Sequence, residues 1–182
     1  MKTKIARQEA IEAGKPILKT LMQYCEFDYC RYAGSIRRQT EMVGDVEIVC
    51  VPRTQQDLWG NRGASLLPQG IEILIADGLL SAPIKNGEKY KQFTITSTGQ
   101  QLDLFITTPE QWPVIFAIRT GSADFSQKLV TRVNKGGKLP SHLKVLGGYV
   151  WEGEKLYHPK PQTEREFLEL CGGWVEPQDR II

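Results

Sequence analysis

Three acids have the types and spacing to do chemistry. Asp45 and Glu47 lie in Asp45-Val46-Glu47-Ile48-Val49-Cys50-Val51, and Asp103 lies in Gln101-Leu102-Asp103-Leu104-Phe105. Both runs are apolar and rich in strand-forming residues, the first being closed by Pro52 and the second by Pro109. Residues i and i+2 of a strand point to one face, so Asp45 and Glu47 stand side by side, about 6–7 Å apart at the backbone. Val46, Ile48 and Cys50 then point the other way, into a core. Leu102 and Leu104 do the same around Asp103. If the two strands pair, three carboxylates meet on one face, where like charges repel unless a hard cation sits among them. The plainer alternative is three solvated strand acids.

The upstream context favours the cation site. Gly34-Ser35 precedes Arg37-Arg38 by two residues. Glycine permits a tight turn and close backbone approach, so amides and a Ser hydroxyl can bind phosphate oxygens. An arginine fork matches phosphate geometry. A phosphate-binding turn leading within ten residues into a carboxylate strand is what nucleotide chemistry needs.

The elements that must hold these residues follow from patterning. Residues 4–24 read as a helix with a stripe of Ile5, Ala10, Ile11, Ile17, Leu18, Leu21 and Met22, kinked or broken at Gly14 and Pro16. Residues 32–38 form a turn, and 66–80 form a helix with an apolar face. Asn86-Gly87 signals a hairpin before a strand over 90–97. A further strand covers 101–107, and helical pieces fill 110–135 around Thr120-Gly121-Ser122. Small strands follow from Leu139, with a helix over 163–170 opened by a capping box of Thr163 and Glu166. The class is α+β.

Composition sets bounds. At 182 residues the chain fits one domain or two small lobes, and 41% hydrophobic with 24% charged residues is enough for a core. A net charge of +2 does not itself suggest a nucleic-acid binder. The cluster Lys128, Arg132, Lys135 and Lys138 could still meet phosphates locally, or could be a solvated basic face. The charged start resembles no signal peptide, and no apolar run approaches the roughly 20 residues that span a bilayer. A cytoplasmic protein with reduced thiols is expected. Of the four cysteines, Cys25, Cys30, Cys50 and Cys171, the pair Cys25 and Cys30 reads as core or near-surface thiols rather than a metal site, since the spacing is loose and the only histidines, His142 and His158, are remote. Trp59, Trp112, Trp151 and Trp174 read as packing residues.

Four motifs in series resemble the DNA polymerase beta superfamily, and more narrowly family X DNA polymerases. Gly34-Ser35-Ile36-Arg37-Arg38, Glu41 and Gly44-Asp45-Val46-Glu47-Ile48-Val49 resemble G-S-x-R-R-G-x-E-x-x-G-D-[VM]-D. Gln101-Leu102-Asp103-Leu104-Phe105 resembles the strand of the third catalytic aspartate. Thr120-Gly121-Ser122 resembles the T-G-S turn before the nucleotide-binding helix, and Glu176-Pro177-Gln178-Asp179-Arg180 resembles the closing P-x-x-R segment. The similarity spans roughly residues 4–182.

The resemblance implies a nucleotidyltransferase palm over 1–108, with a mixed or antiparallel sheet and helices on one side. It implies a small α+β C-terminal nucleotide-binding lobe, thumb-like, over 109–182. The chain begins just before the palm helix, so it is similar to the reduced, viral-type polymerase X that lacks lyase and fingers domains. Asp45, Glu47 and Asp103 would be both catalytic residues and metal ligands, binding two Mg²⁺ ions for which Mn²⁺ can substitute. Asp103 would hold the primer 3′ oxygen and accept its proton. Gly34, Ser35, Arg38 and Gly44 would bind the triphosphate, with Lys4 a weaker candidate. Arg119, Gly121, Ser122 and Ser126 would approach the sugar and base, and Lys128, Arg132, Lys135 and Lys138 the nucleic acid. The implied partners are a dNTP and a primer–template DNA with a gap or nick. A monomer without membrane association is expected.

The chain departs from the family pattern at four places. Glu47 replaces the second aspartate, which shifts a carboxylate by one methylene. Gln39 stands where a glycine usually follows the arginines. Ser126 stands for a usual asparagine. Arg119 stands for an aromatic that helps reject ribonucleotides, which predicts weak sugar discrimination. Two other functions share much of the inventory: a template-independent nucleotidyltransferase acting on RNA, a protein hydroxyl or a small molecule, and a catalytically weak nucleotide- or DNA-binding module.

Overall fold

The computed structural model describes residues 3–56 and 62–181; Trp59 lies outside the described residues. The fold is α+β, with a mixed sheet and helices on one side of it. The chain divides into two compact units, Met1–Ile36 with Thr40–Thr107, and Arg37–Gln39 with Thr108–Ile182.

The first unit opens with strand β1 (Ile5–Ala6), helix α1 (Arg7–Met22) and strand β2 (Cys25–Tyr32). A helical turn α2 (Gly34–Arg37), whose last residue already counts with the second unit, strands β3 (Met42–Val43), β4 (Asp45–Pro52), β5 (Thr54–Gln56) and β6 (Arg62–Ser65) and helix α3 (Leu67–Ala76) follow. Strands β7 (Lys85–Asn86), β8 (Tyr90–Thr94) and β9 (Gln101–Ile106) complete it. The main sheet has five strands in the order β2-β4-β9-β8-β7, with β4 and β9 parallel and the other neighbours antiparallel. Short ribbons pair β1 with β3 and β5 with β6.

Strand alternation sorts the sheet into two faces. Val46, Ile48 and Cys50 of β4, Leu102 and Leu104 of β9 and Phe93 of β8 are buried in one apolar cluster. Ala10, Ile17 and Leu21 of α1 and Leu67, Ile71 and Leu74 of α3 join it. That burial fixes the strand register, because a one-residue slip would turn every buried side chain of the slipped strand outward. The opposite face carries the acids.

The helix over Arg7–Met22 is unbroken through Gly14 and Pro16, against the expected kink. Gly14 is buried under Tyr32: a Cβ there would lie 2.6 Å from the Tyr32 hydroxyl oxygen. The glycine is a packing requirement rather than a helix stop. Pro16 forfeits one backbone hydrogen bond. Ala10, Ile17 and Leu21, all fully buried, hold both sides of it in line.

Other boundaries also shift. Strand β2 has no counterpart in the sequence reading, because its alternation is interrupted. The β2–β4 register slips between Cys25 and Cys30, Asp28 has φ 65°, and Phe27 is 89% exposed. Helix α3 ends at Ala76 rather than Leu80. Gly78, at φ 70°, turns the chain, and the amides of Gly78 and Leu79 bond the carbonyls of Ile75 and Leu74 as in a Schellman motif. The hairpin β7–β8 turns over 87–90, closed by Gly87 N–H to the Tyr90 carbonyl. Strand β8 ends at Thr94, short of Ser97.

The second unit contains helices α4 (Trp112–Thr120) and α5 (Ala123–Val130) and a 3₁₀ turn at Val133–Lys135. A three-stranded antiparallel sheet of β10 (Leu143–Leu146), β11 (Tyr149–Glu152) and β12 (Lys155–Leu156) follows. Helix α6 (Glu164–Leu170) and a 3₁₀ turn at Pro177–Asp179 end it. Val114, Ala117, Phe125, Leu129, Leu139, Leu143, Val150, Phe167 and Leu168 form its core. At the start of α6 the Thr163 hydroxyl accepts from Glu166 N–H at 3.2 Å, as a capping box requires. The Glu166 carboxylate reaches back one residue further than expected, to Gln162 N–H at 2.7 Å.

Trp112 is buried and stacks on Phe116 with centroids 4.6 Å apart, a packing role. All four cysteines are buried free thiols, and burial pushes the Cys171 thiol up to about 12. Among the described residues no helix is long and apolar enough to cross a membrane.

Candidate active site

The acids lie on the face of the first unit's sheet away from α1 and α3. Strands β4 and β9 run parallel with Glu47 opposite Asp103 and Asp45 opposite Gln101. The pairing that the sequence left conditional is therefore present. Asp45 and Glu47 are half-buried, and Asp103 is 8% exposed.

Asp103 is held by its neighbours. Tyr90 Oη donates to its Oδ1 at 2.7 Å and Gln92 Nε2 at 3.3 Å. Gln101 Nε2 donates to Oδ1 at 2.7 Å and to Oδ2 at 2.8 Å. Every donor follows from strand geometry. Gln101 is two residues before Asp103, Gln92 is its cross-strand partner, and Tyr90 is two residues before Gln92, so all share one face. Sequence reasoning missed these three. The signal was the same period-two alternation that singled out the acid.

Gly34 meets the acid strand directly. Its φ is 54°, and a Cβ would lie 1.6 Å from Glu47 Oε2, so only glycine fits. The Ala33 amide bonds the Glu47 carbonyl at 2.9 Å, which fixes this approach. Beside it, Ser35 Oγ is buried and has no hydrogen-bond partner among the described residues, which is costly unless a ligand completes it. Gly44 is different: a Cβ would meet only Lys4 Cγ at 4.0 Å, so sterics do not demand glycine there. The same contact places the Lys4 stem next to the start of β4.

Among the described residues, no group of three or more His, Cys, Asp and Glu side chains is gathered in a form that could hold a metal ion. The three acids share a face without converging on a point. Repulsion between like charges favours that, and Asp103 is turned toward its donors. The donor set nonetheless suits a hard cation. Its atoms are carboxylate oxygens, the ligand type a hard cation takes.

The arginines belong to the second unit. Arg37 forms a fork to Glu164, Nη1 to Oε1 and Nη2 to Oε2, each at 2.6 Å. It also bonds Thr120 Oγ1 at 2.5 Å and lies 3.9 Å over the Phe116 ring. Arg180, fully buried, donates Nη1 to Glu164 Oε1 at 2.6 Å and Nε to the Val175 carbonyl at 2.9 Å. Burial raises the Glu164 pKa, but the hydrogen bonds and charges of Arg37 and Arg180 outweigh it and leave the carboxyl below its usual value. This Arg–Glu–Arg triad was not read from the sequence, since its members are 127 and 16 residues apart. Arg38 Nη1 bonds the carbonyls of Thr120 at 2.8 Å and Gly121 at 3.0 Å.

The remaining candidates of this unit surround the α4–α5 junction. Gly121 cannot carry a Cβ, which would lie 2.6 Å from Ser126 Oγ and 2.7 Å from Phe125. Ser122 caps α5 by accepting from Phe125 N–H at 3.1 Å, and its own amide bonds the Arg180 carbonyl at 2.8 Å. Ser126 Oγ donates to the Ile118 carbonyl at 2.5 Å. Arg119 is exposed in the last turn of α4. Of the basic cluster, Lys128 and Lys135 are exposed, Arg132 Nε bonds the Leu143 carbonyl at 2.8 Å, and Lys138 lies 6.0 Å over Phe125.

In comparisons with known proteins, no family model matches the chain and no curated protein matches it.

Proposed function

We propose that this chain is a metal-dependent nucleotidyltransferase, and within that class a minimal family X DNA polymerase. It would add a deoxynucleotide from a dNTP to a primer 3′-OH on gapped or nicked DNA and release pyrophosphate. One observation carries the reading: Glu47 and Asp103 are register partners on adjacent parallel strands, with Asp45 on the same face and Gly34 packed on the Glu47 carboxylate. The four-motif resemblance supports it.

Asp45, Glu47 and Asp103 would hold the ions. Bound Mg²⁺ supplies positive charge to the attacking and leaving oxygens of an in-line displacement. The chain's own residues then have definite tasks. Ser35 Oγ donates its unused hydroxyl to a phosphate oxygen, and the Gly34 turn lets the phosphates come close to the backbone. Asp103 Oδ2, which receives only the Gln101 amide among the bonds to its carboxylate described above, is the oxygen placed to take the 3′-OH proton. The 3′ oxygen bonds the α-phosphorus as the bond to the pyrophosphate oxygen breaks. For the second unit the reading rests on the resemblance alone, which implies nucleotide contacts by Arg38, Arg119, Gly121, Ser122 and Ser126 and nucleic-acid contacts by Lys128, Arg132, Lys135 and Lys138. A cytoplasmic location and a monomeric state belong to the same reading.

The test is primer extension on a gapped template with Mg²⁺ or Mn²⁺. Template-directed incorporation should be seen, with Asp45→Asn and Asp103→Asn each lowering it by about a hundredfold or more. Incorporation that ignores the template base would favour the template-independent transferase. No incorporation with either metal on any primer would overturn the reading and favour a binding module.

A further inference from the structure

We infer that Tyr90 is the positioning residue for Asp103, acting through its hydroxyl to leave Oδ2 as the carboxylate's working oxygen. The inference rests on the nucleotidyltransferase reading and deepens it.

The argument is an inventory of lone pairs. An ionised carboxylate is acceptor-only, with about two acceptor sites on each oxygen. Oδ1 of Asp103 receives Tyr90 Oη, Gln101 Nε2 and, at longer range, Gln92 Nε2. Oδ2 receives Gln101 Nε2 in the bonds described above. Oδ1 is therefore filled by protein donors, and Oδ2 is where a cation or a proton is accommodated at least cost. The Gln101 amide touches both oxygens and can keep Oδ1 when Oδ2 is taken. The Tyr90 bond touches Oδ1 alone, so it persists through the change and fixes which way the carboxylate turns.

Tyr90 is itself held in place. Its ring stacks on Phe105 with centroids 5.3 Å apart, and Lys85 Nζ lies 5.5 Å from the ring centre on the other strand of the hairpin. Phe105 is the register partner of Tyr90 and lies two residues beyond Asp103, on the same face. The phenol is thus aimed by the strand that carries the acid. Outer-shell groups that orient a metal-binding carboxylate typically change metal affinity or activity by about 10–100-fold when removed.

Tyr90→Phe removes the hydroxyl and keeps the stacked ring, so the fold has no reason to change, and an unchanged unfolding midpoint verifies this. Mn²⁺ binding is measured by electron paramagnetic resonance on wild type, Tyr90→Phe and Asp103→Asn, and kcat and KM by primer extension. In Tyr90→Phe we expect Mn²⁺ affinity or kcat to fall about 10–100-fold while KM for dNTP stays within about twofold. If wild type binds Mn²⁺ in an Asp103-dependent way and Tyr90→Phe equals it in affinity and kcat, this inference is overturned and the nucleotidyltransferase reading stands. If wild type shows no Asp103-dependent Mn²⁺ binding, both are overturned together.

Discussion

Glu164→Gln is the most informative single change in the second unit. The carboxylate receives three charge-assisted bonds of 2.6 Å, two from Arg37 and one from Arg180. Its side chain is 10% exposed and that of Arg180 is 0% exposed, so solvent screens the cluster little. Glutamine has the same size but one acceptor oxygen and no charge. It cannot receive the Arg37 fork, and its NH₂ faces a guanidinium. Removing one partner of a buried ion pair costs about 3–5 kcal/mol, and the retained amide oxygen recovers part of that, so about 3 kcal/mol is expected. For a chain of this size that corresponds to a Tm lowered by roughly 6–12 °C. Urea unfolding followed by tryptophan fluorescence suits the measurement, because Trp112, Trp151 and Trp174 all lie in this unit.

The effect must also depend on pH. A carboxyl whose folded pKa is depressed stabilises the fold fully above its unfolded pKa, about 4.3 for glutamate. That stability is lost as pH falls through the lower folded value. The gap between wild type and Glu164→Gln should therefore be constant near neutrality and close in acid below about pH 4. A loss under about 1 kcal/mol at neutral pH, within the range of exposed ion pairs, would refute the claim that this triad holds the unit together.

Three further outcomes are expected. Gly34→Ala should cost about 1–2 kcal/mol from the left-handed backbone and displace Glu47, so incorporation should fall well beyond the loss seen by denaturation. Equal incorporation would remove Gly34 from the site. Ser35→Ala should leave stability within about 0.5 kcal/mol or raise it, since the hydroxyl has no partner among the described residues, while KM for dNTP rises. A clear destabilisation in urea would contradict that. In native protein a thiol-reactive disulfide reagent should find no rapidly reacting cysteine, and four after denaturation; a fast native thiol would show that one of the four is not buried.

Legibility differed from residue to residue. Strands β4 and β9 were readable because Val46, Ile48 and Cys50, and Leu102 and Leu104, pack one face while Asp45, Glu47 and Asp103 alternate onto the other, so alternation survives in the sequence. Strand β2 was not, because a bulge and the left-handed Asp28 break its period. The helix at 7–22 was readable in extent, but Gly14 and Pro16 were misread as a kink. The reason for the glycine is Tyr32, on another strand. The phosphate turn was legible as Gly34-Ser35. The Arg37 fork was legible as a charge pattern, yet within the second unit its partner is the Glu164 carboxylate.

By itself, the sequence determined the face on which Asp45, Glu47 and Asp103 stand, since side-chain direction in a strand depends only on parity. It also determined the cap at Thr163, a bond between residues three apart. Only tertiary structure decided that β4 and β9 pair in parallel with Glu47 opposite Asp103. Only it decided that Tyr90, Gln92 and Gln101 fasten Asp103, and that Glu164 gathers Arg37 and Arg180. Those contacts join residues on different strands or far apart in the chain. Their formation depends on which apolar faces are buried together, a property of the whole packed unit and not of any local run of residues.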